Sequence, residues 1–340
     1  MATRLSEHKR PTIDDVAQLA GLSTATVSRY INGAAVVSEQ SGAKIQAAIA
    51  QLQYIPHSAA KILASNKTYT LGLLIPLISG DFFAPMLRSV EQKAMENGYS
   101  LLVHSTRLES KGLFKRVLAE HNTDGLIVFA DSLDKAELQR LSTIHFPTVL
   151  LHRTSPPNLN IPYITVENKR GVHQLMDHLI QVHHRQRIAH LRGESGHEDA
   201  DWRERGYREA LEKHGIPYDR SLVEVGAFNA EQARHGVHNL LAKNVTFDAI
   251  FAGDDDSASG AMMELREAGI RVPQDVAVVG FDDLNLAAHL SPALTTVHSP
   301  IDEVASEATK LLLSIIHGEQ VCQETLLPTH LVIRQSCGCI

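Results

Sequence analysis

The chain has 340 residues and a mass of 37.3 kDa, more than one ordinary core needs and enough for two or three domains of about 100 to 200 residues. With 44% hydrophobic and 21% charged residues it is not a disordered polymer, and its longest apolar runs, residues 71–77 and 276–281, are too short to span a bilayer. The net charge of −7 is uneven: residues 1–69 carry seven Lys and Arg against four acidic residues, and the remainder carries 25 against 35. A basic head on an acidic body is expected when only the head contacts a polyanion. Since no apolar segment follows the charges near the N-terminus, we expect no secretory signal and a cytoplasmic protein.

The head predicts three short helices around a small core. Thr12 caps the first helix with Asp15 as its capping-box partner, Gly21 ends that helix, and Ser23 caps the second. A third helix begins near Ser38, and its apolar stripe is Ile45, Ala48, Ile49 and Leu52. Two short helices joined at a glycine form a helix-turn-helix, although the pattern by itself fits any small helical bundle equally well.

The identities of the residues favour the helix-turn-helix. Residues 12–32, TIDDVAQLAGLSTATVSRYIN, closely resemble the headpiece of the LacI/GalR family of bacterial transcription regulators, including the elements T-I-x-D-V-A and A-G-x-S-x-x-T-V-S-R. The resemblance implies that the second helix enters the major groove of DNA. There it implies base contacts from Thr24, Ala25 and Arg29, and phosphate contacts from Ser23, Thr26, Ser28 and Asn32, with Thr12 in the same DNA-binding set. Arg29 suits a guanine edge, whereas Ala25 offers only an apolar contact.

The segment after the head continues the resemblance into the family's hinge. Residues 52–67, LQYIPHSAAKILASNK, place Leu63 where the family wedges a leucine into the minor groove, and Ala60 keeps one helix face slim. Lys61 stands where an arginine is common, and His57 with Ser58 replaces the usual Asn-Ala pair, which weakens the implied groove contact. The alternative is an ordinary linker.

From residue 70 onward, short apolar runs alternate with amphipathic stretches, as in β-α-β units around buried parallel sheets. One series of strands is predicted at residues 71–75, 101–104, 126–129 and 148–151, and a second at 164–166, 188–191, 222–225, 250–252 and 276–281. The predicted fold is α/β: a helix-turn-helix headpiece (1–56), a hinge helix with linker (57–69), and a body of two doubly wound parallel-sheet lobes (70–340). The lobe boundaries are 70–161 with 297–321 for the first lobe, and 162–296 with 322–340 for the second. Ligands of such folds bind beyond the carboxyl ends of the strands, here between the lobes.

Signatures of catalysis are scarce. The sequence contains no G-x-G-x-x-G, P-loop, G-x-S-x-G or H-E-x-x-H motif. His183 and His184 adjoin arginines and are interpreted as a solvated loop, and Cys337 and Cys339 do not form a zinc site without further ligands nearby. The three cysteines are expected to be reduced thiols. We therefore expect no enzyme, no metal and no cofactor.

The body resembles the periplasmic-binding-protein-like domain of the same family over essentially its whole length, clearly so in residues 271–300 and in the closing LVIRQSCGC. The resemblance implies an effector site that comprises Asp81, Phe82, Phe83, Arg203, Phe228, Asp254 and Asp282. An aromatic face with carboxylates and one arginine suits a sugar ring. Asp254 replaces the more frequent Asn, and its charge favours a neutral carbohydrate over an anionic effector, with a purine or nucleoside as the alternative.

These observations together predict a DNA-binding transcription regulator, a repressor, whose affinity for a pseudo-palindromic operator depends on a bound sugar. A transport-type sugar-binding protein shares the two lobes but has a signal peptide and no headpiece. An enzyme on the same fold is a third option. No leucine heptads follow the last predicted strand, so we expect a homodimer of about 75 kDa and no higher assembly.

Overall fold

The chain divides into two compact units, Met1–Thr68 and Tyr69–Ile340. The computed structural model describes residues 11–31, 37–54, 67–106 and 122–340. Most of the predicted hinge lies outside these ranges, and so do Asn32, Ala60, Lys61 and Leu63. Within the described ranges, no helix is both long enough and apolar enough to cross a membrane.

The first unit contains the three predicted helices, α1 (Ile13–Ala20), α2 (Thr24–Ile31) and α3 (Glu39–Leu52). Thr12 caps α1 through the predicted capping box: its backbone N–H donates to Asp15 Oδ2 at 2.7 Å, and its hydroxyl accepts from the Asp15 N–H at 3.3 Å. Gly21 ends α1 with a φ of 64°, a left-handed conformation that glycine adopts without steric cost.

The core of this unit is small, because few apolar side chains are available to three short helices. Its buried members are Val16, Ala17, Ala20, Val27, Ile45, Ala48 and Tyr54. Val27 and Ile45 are fully buried and come from α2 and α3, so both of these helices contribute to the core together with α1.

The second unit alternates helices with strands, as the sequence pattern predicts. Its helices are α4 (Phe83–Glu96), α5 (Lys135–Thr143), α6 (Asn168–Asp177), α7 (Glu198–Lys213), α8 (Ala230–Ala242), α9 (Asp255–Glu267), α10 (Asn285–His289) and α11 (Ile301–Ile316), with a π-helical turn at His178–Val182 and 3₁₀ turns at Ala130–Ser132 and Arg220–Leu222. Its strands are β1 (Thr70–Ile75), β2 (Ser100–Ser105), β3 (Gly125–Phe129), β4 (Thr148–Leu151), β5 (Tyr163–Val166), β6 (Ile188–Arg192), β7 (Val223–Val225), β8 (Ala249–Ala252), β9 (Ala277–Val279), β10 (Thr296–His298), β11 (Glu324–Leu327) and β12 (His330–Val332).

Two parallel sheets organise these strands. The first lobe contains the six-stranded sheet β11-β5-β4-β3-β1-β2, and the second lobe contains the four-stranded sheet β7-β6-β8-β9. An antiparallel pair, β10 with β12, forms a third, separate sheet. The strands β3, β4 and β8 are buried along their whole length, which explains why they appear in the sequence as continuous apolar runs.

Two strands differ from the predicted lobe boundaries. Both β5 and β11 belong to the first lobe, because Leu150 pairs with Tyr163, and Glu324 pairs with the same tyrosine on its other side. The sequence of β11 is not a continuous apolar run, because the strand lies at the edge of the sheet and two of its four residues are exposed. The last strand of the second series is also shorter than predicted, because the chain leaves the sheet after Val279.

The small core of the first unit yields a direct test of stability. Ile45→Ala should destabilise this unit by about 2 to 5 kcal/mol, because the core is too small to collapse around the cavity. Calorimetry of the full-length chain should show the transition of the first unit shifted to lower temperature and that of the body unchanged. Gln46→Ala, on the exposed face of α3, is the matched control and should leave both transitions in place. An unshifted first transition in the Ile45 variant would contradict this account of the core.

Candidate functional site

The polar residues of the body gather at the carboxyl ends of the parallel strands. His152 directly follows β4, Asp254 lies two residues after β8, and Asp282 lies three residues after β9. Phe82 precedes α4 in the loop after β1, and Phe228 lies in the loop after β7. This is the edge at which doubly wound sheets bind ligands.

A buried ion pair lies at the centre of this edge. Arg203, on α7, and Asp282 are only 3% and 4% exposed, and Arg203 Nη2 donates to Asp282 Oδ1 at 2.9 Å. The other donors of the guanidinium also have protein partners: Nε donates to Asn168 Oδ1 at 2.9 Å, and Nη1 donates to the Gly253 carbonyl. The ring of Phe281 lies against the guanidinium, with its centroid 3.8 Å from Cζ. The charge of Arg203 is therefore satisfied by the protein itself.

The hydrogen bonds continue from this pair to the first lobe. Asn168 Nδ2 donates to Asp199 Oδ1 at 2.7 Å, and Asp199 Oδ2 lies 2.8 Å from His152 Nδ1. Burial opposes ionisation of Asp199, but the charge and hydrogen bond of His152, together with the charge of Arg203, outweigh it and lower the pKa of this carboxyl. We call His152, Asp199, Asn168, Arg203 and Asp282 the inter-lobe network, since it leads from the end of β4 in the first lobe to the end of β9 in the second.

Aromatic side chains line the first-lobe end of the network. Phe82, Phe83 and Phe129 pack edge to face, with centroids 5.2 to 5.8 Å apart. His152 lies 5.6 Å from Phe82, and its buried Nε2 has no hydrogen-bond partner among the described residues. His197, whose Nδ1 is also without a partner there, lies between Phe129 and Phe228. Two buried imidazole nitrogens thus lack a partner among the described residues beside Phe82, Phe83 and Phe129, which we call the aromatic wall.

The carboxyl group of Asp254 completes the second-lobe side. It caps α9, where Oδ1 accepts from the Ser257 N–H at 3.0 Å. Burial raises the pKa of Asp254 to about 7, and the charges of Asp282 and Asp256 act in the same direction against the Ser257 hydrogen bond. Asp81 is exposed, and its charge adds to the burial that raises the pKa of Asp256.

The predicted effector residues thus occupy one region. Arg203, Phe228, Asp254 and Asp282 lie on the second-lobe side, and Phe82 and Phe83 belong to the aromatic wall, whereas Asp81 lies at the exposed margin. Their role in binding stays a prediction. The sequence pattern did not indicate Phe129, His152, Asn168, His197 and Asp199. His152 directly follows β4 and Asn168 lies two residues after β5, so the rule that ligands bind beyond the carboxyl ends of strands was able to indicate both.

The predicted DNA-contacting residues of the first unit lie on and around α2. Ser23, Thr24, Ala25 and Arg29 are exposed, and Thr12, Thr26 and Ser28 are half-buried. Several of the hydroxyls make contacts within the unit, among them Thr24 with Asp14 Oδ1 at 2.9 Å and Ser23 with Thr26 at 2.8 Å. Arg29 is therefore the long cationic donor on the exposed face of this helix, as the sequence predicts.

Comparison with known proteins identifies the family. Residues 12–57 match the lacI family of bacterial regulatory proteins, and residues 176–337 match the periplasmic binding protein-like domain. The ribose operon repressor of Halalkalibacterium halodurans is 34% identical over 96% of this chain and 96% of that protein. This chain belongs to the lacI family. The predicted family, fold class and function class, a DNA-binding transcription regulator, are confirmed.

Further members of the lacI family resemble the chain along its whole length. The transcriptional regulator CelR of Thermobifida fusca is 33% identical over 98% of this chain and all of that protein. A solved structure of a CelR–cellobiose complex has a TM-score of 0.72 at 32% identity and covers 96% of this chain and all of that one. The Lac repressor dimer bound to operator and the anti-inducer ONPF has a TM-score of 0.85 at 27% identity, over 97% of this chain and 99% of that one.

The raised pKa of Asp254 predicts a specific dependence of stability on pH. The native state keeps this proton up to about pH 7, whereas an unfolded Asp releases it near pH 4, so the contribution of Asp254 to the free energy of unfolding should fall as the pH rises from about 4 to 7. Buried His190, whose pKa is lowered to about 4, contributes in the opposite direction, so the comparison is made between variants. Asp254→Asn keeps the helix cap and should lessen that fall. Chemical denaturation across this pH range measures it.

The control for this prediction is Asp275→Asn, because Arg271 lowers the pKa of this exposed carboxyl instead of raising it. That variant should retain the pH dependence of the wild-type chain between pH 4 and 7. If the free energy of unfolding changes with pH in the same way in the wild type and the Asp254 variant, Asp254 ionises in the native state as it does in the unfolded chain, and the prediction is wrong.

Proposed function

We propose that this lacI-family chain is a repressor whose operator affinity is controlled by a neutral sugar bound between the two lobes of its body. The observation that supports this most strongly is the inter-lobe network, which reaches both lobes and has the unpartnered Nε2 of His152 beside an aromatic wall. A sugar offers apolar C–H faces to aromatic rings, and its hydroxyls donate and accept hydrogen bonds.

The charges around the network favour a neutral ligand. The guanidinium of Arg203 already serves Asn168, Gly253 and Asp282, so it has little charge to offer an anion. Asp254 and Asp256 add carboxyl groups whose pKa values are raised by burial and, in both cases, by the charge of Asp282. An anionic ligand would add a further negative charge to this group. A purine or nucleoside stays the alternative, since a flat base would also stack on the aromatic wall.

Control of DNA binding follows if the sugar changes how the lobes are joined. A ligand shifts an equilibrium between two arrangements only by the difference in its affinity for them. A sugar bonded to His152 and to Asp282 would contact both ends of the network, and its affinity would therefore depend on the arrangement of the lobes.

The proposal includes the assembly and the place of action. We propose a homodimer of about 75 kDa, because one headpiece reads one half-site and two copies are needed for a pseudo-palindromic operator. The headpiece is residues 1–56, the hinge 57–69 and the body 70–340. The protein would act in the cytoplasm, on the operator, without catalysing a reaction on its ligand.

Substitutions in the ion pair test the proposed site. Arg203→Ala and Asp282→Ala should each abolish the ligand response and retain operator binding, because each leaves a buried polar partner unpaired at a cost of about 1 to 3 kcal/mol or more. The measurement is a thermal-shift screen with D-ribose, cellobiose, other sugars and nucleosides, followed by titration of operator DNA. Arg271→Ala, which breaks an exposed ion pair with Asp275, is the control and should respond like the wild type. A full ligand response in both network variants would show that the ligand binds elsewhere. A response to nucleosides but to no sugar would show that the ligand is a nucleoside.

DNA selection tests the role of the first unit. Sites selected from random DNA should be pseudo-palindromic, with a flexible pyrimidine–purine step, CG, at the centre where Leu63 would insert. Arg29→Ala should lose about 1 to 3 kcal/mol at one base position of each half-site and relax specificity there. Gln46→Ala, on the exposed face of α3, should leave the selected sequence unchanged. Selection of non-palindromic sites would contradict the dimer.

A further inference from the structure

Four potential metal ligands converge in the second lobe, away from the inter-lobe network. His178, His183, Cys337 and Cys339 each offer one ligand atom, and these four atoms all lie within 4.8 Å of one another. Cys337 and His178 are buried, and His183 and Cys339 are half-buried. The expectation that no further ligand lies near the two thiols is therefore wrong.

A π-helical turn brings the two histidines together. In an α-helix, residues i and i+5 point about 140° apart, since successive residues rotate by about 100°. The chain after α6 instead forms a π turn at His178–Val182, which places His178 and His183 one above the other with their Nε2 atoms 3.2 Å apart. Such turns are rare and occur frequently at functional sites.

A glycine brings the two cysteines to the histidines. Gly338 has a φ of 112°, which side chains rarely permit, and a Cβ atom there would lie 3.3 Å from the ring of His183. The resulting turn directs both thiols toward the histidines: Cys337 Sγ lies 3.4 Å from His178 Nε2, and Cys339 Sγ lies 3.3 Å from His183 Nε2 and 3.7 Å from His178 Nε2.

These separations are those of a tetrahedral zinc site. With Zn–S of about 2.3 Å and Zn–N of about 2.0 Å, tetrahedral ligands lie about 3.3 Å apart for two nitrogens and about 3.5 Å for sulfur and nitrogen. The N···N distance of 3.2 Å and the S···N distances of 3.4, 3.3 and 3.7 Å agree with these values to within about 0.2 Å. Two thiolates and two imidazoles are a ligand set that favours Zn²⁺. We propose that His178, His183, Cys337 and Cys339 bind one Zn²⁺ ion.

The surroundings of Cys337 fit a metal-bound thiolate. The hydroxyl of Thr295 lies 3.2 Å from Cys337 Sγ and donates toward it, which is the kind of outer contact that orients a ligand and stabilises its charge. The segment before the cysteines is fixed as well, since the Ser336 hydroxyl donates to the Val278 carbonyl and accepts from the Thr295 N–H. Four protein ligands leave no position for substrate, so the ion would be structural. It would join the end of the chain to the helix that begins at Asn168.

Metal analysis of the full-length chain tests the proposal. Protein purified under reducing conditions, or stripped with chelator and titrated with Zn²⁺, should bind one Zn²⁺ per chain. Cobalt in place of zinc should give the intense visible bands of a tetrahedral ion with thiolate ligands. Cys339→Ser and His183→Gln, at the half-buried positions, should each weaken Zn²⁺ affinity at least tenfold and alter the cobalt spectrum.

Two matched controls separate the site from general thiol or imidazole binding. Cys322→Ser removes the exposed cysteine, and His184→Gln removes the histidine next to the cluster; both should bind Zn²⁺ as the wild type does. Circular dichroism of each variant checks that the fold is retained. Failure of the wild-type chain to bind Zn²⁺ stoichiometrically would overturn the proposal, and so would retention of wild-type affinity in folded Cys339 and His183 variants.

Discussion

The buried ion pair between Arg203 and Asp282 constrains the rest of the body. A guanidinium removed from water is tolerated only when its donors are satisfied, and here the donors reach Asn168 at the start of α6, the Gly253 carbonyl after β8 and Asp282 after β9. Helices α6 and α7 and the ends of two strands therefore have to keep one relative arrangement. Loss of either charged partner would leave the other buried and uncompensated, so this arrangement depends on both.

The connection from this pair to the first lobe is polar, and that matters for function. Asp199 accepts from Asn168 and contacts His152, and nearby Glu198 accepts from the backbone and hydroxyl of Thr154. Apolar contacts alone would hold the lobes together regardless of what else is bound. Hydrogen bonds can instead be exchanged for bonds to the hydroxyls of a ligand, so a polar connection gives a sugar a means to change the relation of the lobes.

Local features of the fold were predictable because their causes are local. The cap at Thr12 and the stop at Gly21 depend on residues within one turn, and buried strands such as β4 are evident as apolar runs. The contact between His152 and Asp199 joins residues 47 positions apart, and no pattern within a window of the sequence indicates it.

The predictions that failed have the same kind of cause. His178 and Cys337 are 159 positions apart in the sequence, and their contact depends on the π turn at His178–Val182. An α-helix over the same residues would direct His178 and His183 to different sides. The edge strand β11 escaped notice because exposure on one side removes the continuous apolar run by which a buried strand is identified. To predict either feature, one has to know which distant segment of the chain packs against it.

The most direct test of the proposed regulator is the dissociation constant of the stabilising sugar, measured on the full-length chain with and without saturating operator DNA. If the sugar site and the DNA-binding unit are coupled, the two constants should differ, by about 5-fold to 150-fold for couplings of ordinary size, and the sugar should change operator affinity by the same factor. Equal dissociation constants with and without operator would contradict the account, because a ligand that binds both states equally shifts neither.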